Sequence, residues 1–148
     1  MAKHTMGTFG MAGGIIALAA IAAYFGLAHG CEKPGVSRIA GRVTILPELA
    51  GQVKATDVLF VIVRRPQAKR PLAAKRFDNP QFPVTYEITN ADVMMQGTEL
   101  RGVVEVVARL DRDGQAGPAQ PGDIEGEFEK NPTMVGGDDV DITLKDLR

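Results

Sequence analysis

Apolar and polar residues alternate along much of the chain with the two-residue period of an extended strand. Phe82, Val84, Tyr86 and Ile88 alternate with Pro83, Thr85 and Glu87, while Val104, Val106, Ala108 and Leu110 alternate with Glu105 and Arg109. Each pattern predicts a strand with one face in a core and the other toward solvent. Val58–Val63 (VLFVIV) is instead a continuous apolar run rich in β-branched residues, which predicts a central strand covered on both faces. Arg38–Leu46 reads as a first strand, and Val140, Ile142 and Leu144 mark a last one. Leu72–Phe77 and Asp123–Phe128 are shorter and more polar, as expected at sheet edges. Pro47–Asp57 is a turn-rich connection in which Leu49 and Val53 can anchor, and Asp113-Gly114 supplies a tight turn. No part of this region carries a helical apolar period over the length of a helix. About seven short strands between Gly and Pro turns predict an all-β, β-sandwich-like single domain or a small open barrel.

The amino-terminal stretch breaks this pattern. Phe9–Ala28 is twenty residues without a charge, which as a helix matches a hydrocarbon core of about 30 Å and predicts a transmembrane anchor. It exceeds the apolar core of about 7–15 residues typical of a secretory signal. Lys3 and the amino terminus precede it, which places the amino terminus in the cytoplasm and the rest beyond the membrane. The expected organisation is a cytoplasmic end over 1–8, one anchor over 9–30, a linker over 31–36 and a β-domain over 37–148. Alternatively, Leu27-Ala28-His29-Gly30-Cys31 resembles a lipoprotein signal, with Cys31 as the lipidated residue, although Ala28 stands where a leucine is usual. On either reading the membrane is a partner. Gly10 and Gly14 form a G-x-x-x-G pair, expected here simply as small lipid-facing residues.

Charge and residue inventory narrow the chemistry. The net charge of -1 argues against nucleic-acid binding, which draws on a strong basic excess. Cys31 is the only cysteine, and both histidines, His4 and His29, flank the apolar stretch. Residues 32–148 therefore offer no Ser-His-Asp or Cys-His pair, no ordinary zinc set and no C-x-x-C-H haem signature. No catalytic, metal-ligating or cofactor-binding residue is expected, and the chain reads as a non-enzyme. Asp111-Arg112-Asp113-Gly114 looks like the opening of a calcium loop, but the closing glutamate is missing at the required spacing, which favours a hairpin turn. Asp138, Asp139 and Asp141 read as a solvated acidic face. Met94, Met95 and Met134 offer soft ligands in principle, but adjacent strand residues point to opposite faces, which favours packing or an apolar contact surface.

No acidic residue falls between Val58 and Phe77, whereas Arg64, Arg65, Lys69, Arg70, Lys75 and Arg76 cluster there in or beside a predicted hairpin. The acid of the last third includes Asp123, Glu125, Glu127, Glu129, Asp138, Asp139 and Asp141. The plainer expectation is that the two groups cancel across adjacent strands. The alternative is that the six cations form a basic lobe that binds a partner, an acidic protein or anionic headgroups.

The order of several short runs carries more than any one of them. Gly41-Arg42-Val43-Thr44 leads through Leu46 and Leu49 to the VLFVIVRR strand, then to Arg70-Pro71-Leu72-Ala73-Ala74-Lys75-Arg76. Met94-Met95, Ala108-Arg109 and Pro121-Gly122-Asp123-Ile124-Glu125-Gly126 follow. In this order they resemble the periplasmic C-terminal domain of cytochrome c biogenesis proteins of the CcmI/CycH type, over roughly Gly41–Gly126. The resemblance implies a β-rich module in the periplasm, on a protein that presents apocytochrome c to the haem-ligation machinery. Together with the one predicted anchor, itself a departure from the family's pattern, the resemblance leads to the expectation of a single-pass protein of the bacterial inner membrane, without cofactor, whose partner is a c-type cytochrome, its assembly machinery or a membrane redox complex. The sequence departs from that pattern in having no helical tetratricopeptide repeats, which in the family hold the apocytochrome's tail. The function expected is a membrane-anchored, periplasm-facing, non-catalytic assembly module. The alternative is an accessory subunit of a respiratory or photosynthetic complex that touches its cytochrome.

Overall fold

Alternating burial sorts the strands of the computed structural model, which describes residues 37–148, into two sheets around one core. The expected anchor over 9–30, the linker over 31–36, and His4, Gly10, Gly14, His29 and Cys31 lie outside the described residues. Among the described residues no helix is long and apolar enough to cross a membrane.

The first sheet joins β4 (Val84–Thr89), β1 (Arg38–Ile45) and β8 (Ile142–Leu144) in that order. β1 runs antiparallel to β4 and parallel to β8. The larger sheet runs β3 (Pro71–Asp78), β2 (Val58–Arg64), β5 (Val103–Asp111), β6 (Ile124–Glu127) and β9 (Asp146–Leu147), with β7 (Thr133–Met134) also paired to β5. Ile39, Val43, Tyr86, Ile88, Ile142 and Leu144 from the first sheet meet Leu59, Val61, Val63, Val106, Leu110 and Ile124 from the second. All are buried, so the two-residue period is the reason each sheet owns one apolar face.

Most sequence expectations correspond to elements of this fold. The VLFVIV run is the inner strand β2, and the Val104 and Val84 alternations lie in β5 and β4. Leu49 and Val53 pack against the core from the connection after β1, which contains one helical turn, α1 (Pro47–Ala50). β3 lies at the sheet edge as expected, but β6 does not, because β9 pairs along its outer side through Ile124↔Leu147 and Glu125↔Asp146. The chain's last residues thus turn an expected edge into an interior strand.

Two glycines allow backbone to approach closely, Gly126 between the two sheets and Gly41 where the segment leading into β8 meets β1. A Cβ on Gly126 in β6 would lie 2.1 Å from the Thr143 carbonyl oxygen of β8, and one on Gly41 in β1 would lie 2.2 Å from the Val140 carbonyl oxygen. Backbone occupies the space where any other residue carries a side chain. The same Val140 oxygen accepts a 2.6 Å hydrogen bond from the buried Tyr86 hydroxyl. Burial, with the charge of Asp141 second, pushes that phenol well above its ordinary range, so it stays a donor. Tyr86→Phe should cost about 1–2 kcal/mol, because it leaves a buried acceptor unpaired. The check is a urea midpoint at unchanged slope, and a variant as stable as the parent would show that the bond contributes nothing net.

Candidate functional site

The long strands give the sandwich two ends. At one end lie the start of β1, the β2–β3 turn over 65–70, the connection from β4 to β5 over 90–102, and the segment around β7. A hydrogen bond from the Leu100 amide to the Asn90 side chain, 2.8 Å, and one from the Gly136 amide to the Arg38 carbonyl, 2.8 Å, tie both sheets together there. At the other end lie α1, the loop over 79–83, the β5–β6 connection over 112–123, and the carboxyl terminus.

Only part of the expected basic lobe is assembled in one place. Arg64, Arg65, Lys69 and Arg70 surround the β2–β3 turn at the first end. Arg64 is held by Glu105 across the sheet at 2.8 Å. Arg65 donates to the Arg101 carbonyl at 2.5 Å and meets no carboxylate among the described residues, while Lys69 and Arg70 are exposed and in no ion pair there. Lys75 and Arg76 sit further along β3 and, as neighbours on a strand, point to opposite faces. Lys75 reaches across to the Glu87 carbonyl at 2.8 Å and stands 3.8 Å from Asp92. Arg76 lies over the Phe60 ring, 5.7 Å from its centroid, and pairs with Asp78 at 2.7 Å. The lobe therefore shrinks to Arg65, Lys69 and Arg70 as cations without a carboxylate partner among the described residues. The expected cancellation against the C-terminal acids does not occur either. The lobe's ion pairs go to Asp78, Asp92 and Glu105, whereas Asp138 pairs with Arg38, Asp123 approaches Arg109, and Glu125 takes Arg148.

The same end displays most of the large apolar side chains left in water: Met94, Met95, Val103 and Met134, each at least 44% exposed. Val103 and Met134 face each other across β5 and β7. The Met94 amide bonds to the Leu72 carbonyl at 3.0 Å, which places Met94 and Met95 beside the start of β3 on the far flank of the β2–β3 turn. The three methionines thus lie on opposite flanks of the larger sheet.

The second end holds charge where alternation predicts solvent. Arg109, on the outer face of β5, is only 5% exposed, and Asp57, Asp111 and Asp123 are each 1% exposed. The connection over 112–123 folds back over the outer face of the larger sheet and covers them. The Arg109 guanidinium donates to the Gly117 carbonyl at 2.8 Å and lies 3.2 Å from Asp111 and 3.9 Å from Asp123. Asp111 accepts from the amides of Asp113 and Gly114 at 3.2 and 2.8 Å, and Asp123 accepts from those of Arg112 and Gln120 at 3.1 and 2.7 Å. Arg112 reaches back to the Gln52 carbonyl and to Asp57, both at 2.6 Å. Asp113-Gly114 is thus a turn, but it opens a longer connection that does not close as a tight hairpin. Burial, then the hydrogen bond with Asp113, raises the Asp111 carboxyl above its ordinary range, and Arg109 opposes that rise. The charge at the centre of this carboxylate cluster is an arginine of the chain itself. Among the described residues no group of three His, Cys, Asp or Glu side chains converges to hold a metal. Beside it, Gly51, Gln52, Lys54, Asp57, Arg112, Pro121 and Gly122 line a shallow depression of about 490 Å³.

These arrangements suit binding by contact. The sequence cue for the buried cluster was Asp-x-Asp-Gly followed by a Gly- and Pro-rich stretch, and only the fold-back shows it as a latch. Comparison with known proteins agrees with that architecture. Cytochrome c-type biogenesis protein CycH of Pseudomonas aeruginosa is 40% identical over 78 residues, which is 51% of this chain and 19% of that protein. The chain therefore spans about a fifth of that relative's length. No solved structure matches it. The family described as the cytochrome c-type biogenesis protein H Ig-like domain matches residues 39–145, from the first core residue of β1 to the residue after β8. Since that match runs over strands β1 to β8 and the connection over 112–123, well over half of the chain, the chain belongs to the family of cytochrome c-type biogenesis protein H Ig-like domains.

Proposed function

We propose that this chain is a membrane-anchored, non-catalytic assembly module for c-type cytochromes, with its Ig-like domain held on the periplasmic side and working by surface contact. The observation that supports it most is that the family match covers the sandwich from β1 to β8 and so takes in the whole of its buried apolar core. An apolar stretch of twenty uncharged residues immediately upstream supports the anchor. The cations that have no carboxylate partner among the described residues, and the exposed methionines, also support contact. Exposed cations and exposed methionines on a rigid β-framework present steering charge and adaptable apolar area to another surface. A module of this kind holds its partner briefly while other proteins carry out the haem chemistry.

A mild-detergent pull-down of the tagged full-length chain from its native membrane tests this reading. Co-purification of apocytochrome or haem-ligation components at substoichiometric levels is the expected result. Recovery at fixed stoichiometry inside a mature redox complex would overturn it and make the chain a permanent subunit. Mass spectrometry of the intact bait separates the two membrane attachments, because a retained anchor leaves Met1 or its successor at the amino terminus and lipidation leaves Cys31 there.

A further inference from the structure

The chain comes into the sandwich at Arg38, at the end that carries the exposed methionines and the cations without a carboxylate partner among the described residues. We infer that this end is a lipid-docking face: Arg65, Lys69 and Arg70 meet anionic headgroups, and Met94 and Met95 settle among them. The inference rests on the anchored reading above and adds an orientation to it.

Residues 29–37 separate the apolar stretch from β1. Fully extended they reach no more than about 35 Å. That is close to the length of the domain itself, since β5 has nine residues and so spans about 30 Å. A tether of that reach leaves more than one tilt open and keeps the Arg38 end at high effective concentration beside the bilayer. What that end displays then decides the orientation. Cations act on an anionic surface within a screening length of about 8–10 Å. Arg65, Lys69 and Arg70 have no carboxylate partner among the described residues, so their charge is available to the headgroups. Arg101 adds a fourth cation beside them and is matched loosely by Glu99 at 3.7 Å. Met94 and Met95 are 59% and 50% exposed, and they can leave water for the interface with little loss of conformational freedom in the surrounding strands. Among the acids of this end, Glu105 holds Arg64 at 2.8 Å, Asp92 stands 3.8 Å from Lys75, Glu99 lies 3.7 Å from Arg101 and Asp138 pairs with Arg38, and none of them pairs with Arg65, Lys69 or Arg70. The charge is therefore lopsided, and the domain tilts onto its β3 flank.

The chain contains no tryptophan, so one introduced indole reports from one place. Full-length protein carrying Met95→Trp, or Gln81→Trp at the opposite end, is reconstituted into vesicles of brominated lipid with and without phosphatidylglycerol. The expected result is quenching of the Met95→Trp indole roughly twofold or more beyond that of Gln81→Trp in anionic vesicles. That excess should be lost in pure phosphatidylcholine, at high salt, or with Lys69→Glu/Arg70→Glu. Equal quenching at the two positions, or quenching indifferent to lipid charge and salt, overturns the docking. Shielding of Met95→Trp in native membranes but not in pure lipid assigns the face to a protein partner and equally overturns it. Alkaline carbonate extraction separates the two levels. Protein that washes off refutes the anchored reading, whereas protein that stays while showing no differential quenching refutes only the docking.

Discussion

Arg109→Met should lower the stability of the domain by about 3–5 kcal/mol at neutral pH, enough to leave much of it unfolded. The substitution keeps most of the side-chain volume and removes the charge, so the loss is electrostatic. Asp111 and Asp123, each 1% exposed, would remain buried without the guanidinium 3.2 and 3.9 Å away. The Gly117 carbonyl would lose its donor as well, and with it the bond that holds the 112–123 connection down on β5. The sign of the pH dependence follows from the Asp111 carboxyl, whose folded-state pKa is already raised by burial and lowered in part by Arg109. Without Arg109 it rises further. A carboxyl whose folded pKa lies above its unfolded value of about 3.9 costs stability at neutral pH. That cost is relieved as the pH falls through the folded value. The deficit of Arg109→Met should therefore shrink in mild acid, and Arg109→Met/Asp111→Asn/Asp123→Asn should recover part of it at pH 7, since the amide oxygens can still accept from the loop. Urea titrations at several pH values measure all of this. An Arg109→Met deficit below about 1 kcal/mol, or one that widens in acid, would mean that solvent reaches the cluster and that the loop is no latch.

Gly126→Ala is expected to cost about 2–4 kcal/mol, far above the usual effect of adding one methyl to a strand. The new Cβ would lie 2.1 Å from the Thr143 oxygen and 2.7 Å from the Thr143 carbonyl carbon. Neither is the tip of a flexible side chain, so β8 itself must move away from β6. Gly41→Ala meets the Val140 carbonyl in the same way and should behave alike. Gly51, after α1, is the control. Its φ of -68° and ψ of -10° suit alanine, and nothing lies within 4 Å of the point where the added methyl would sit. Gly51→Ala should be neutral or stabilising by up to about 1 kcal/mol, because it restricts only the unfolded chain. Thermal or urea unfolding of the three variants distinguishes close approach from a general effect of replacing glycine. Equal stability of Gly126→Ala and the parent would show that the two sheets do not meet there at this distance.

Much of the architecture was legible because strand periodicity is local. Val104, Val106, Ala108 and Leu110 share a face whatever lies opposite, and all four are buried. The run over 58–63 announced an inner strand for the same reason. The order of short runs from Gly41 to Gly126 also pointed to the family that matches over 39–145. The limits fell where a residue's surroundings come from distant parts of the chain. Arg109 alternates with apolar neighbours as any solvent-facing residue does, and it is buried because residues after it return across β5. Asp123–Phe128 has the composition of an edge, and β9 removes that edge. The six clustered cations are close in sequence yet divided in space, since strand pairing carries Lys75 and Arg76 along β3 away from the turn.

By itself, then, the amino-acid sequence determined the all-β class, the faces of the principal strands, the absence of histidine and cysteine chemistry from residues 32–148, and the family. These depend on residue type and on spacings within one strand or one turn. Tertiary structure alone decided which charges are spent and which are left over. It brought Asp123 to Arg109 and buried both, matched Arg64 with Glu105, and left Arg65, Lys69 and Arg70 without a carboxylate partner among the described residues, at the end where β1 begins. The physical reason is distance: a Coulomb interaction or a hydrogen bond acts over a few ångströms of space, and residues on different strands and connections come within that range only when both sheets and their connections are in place.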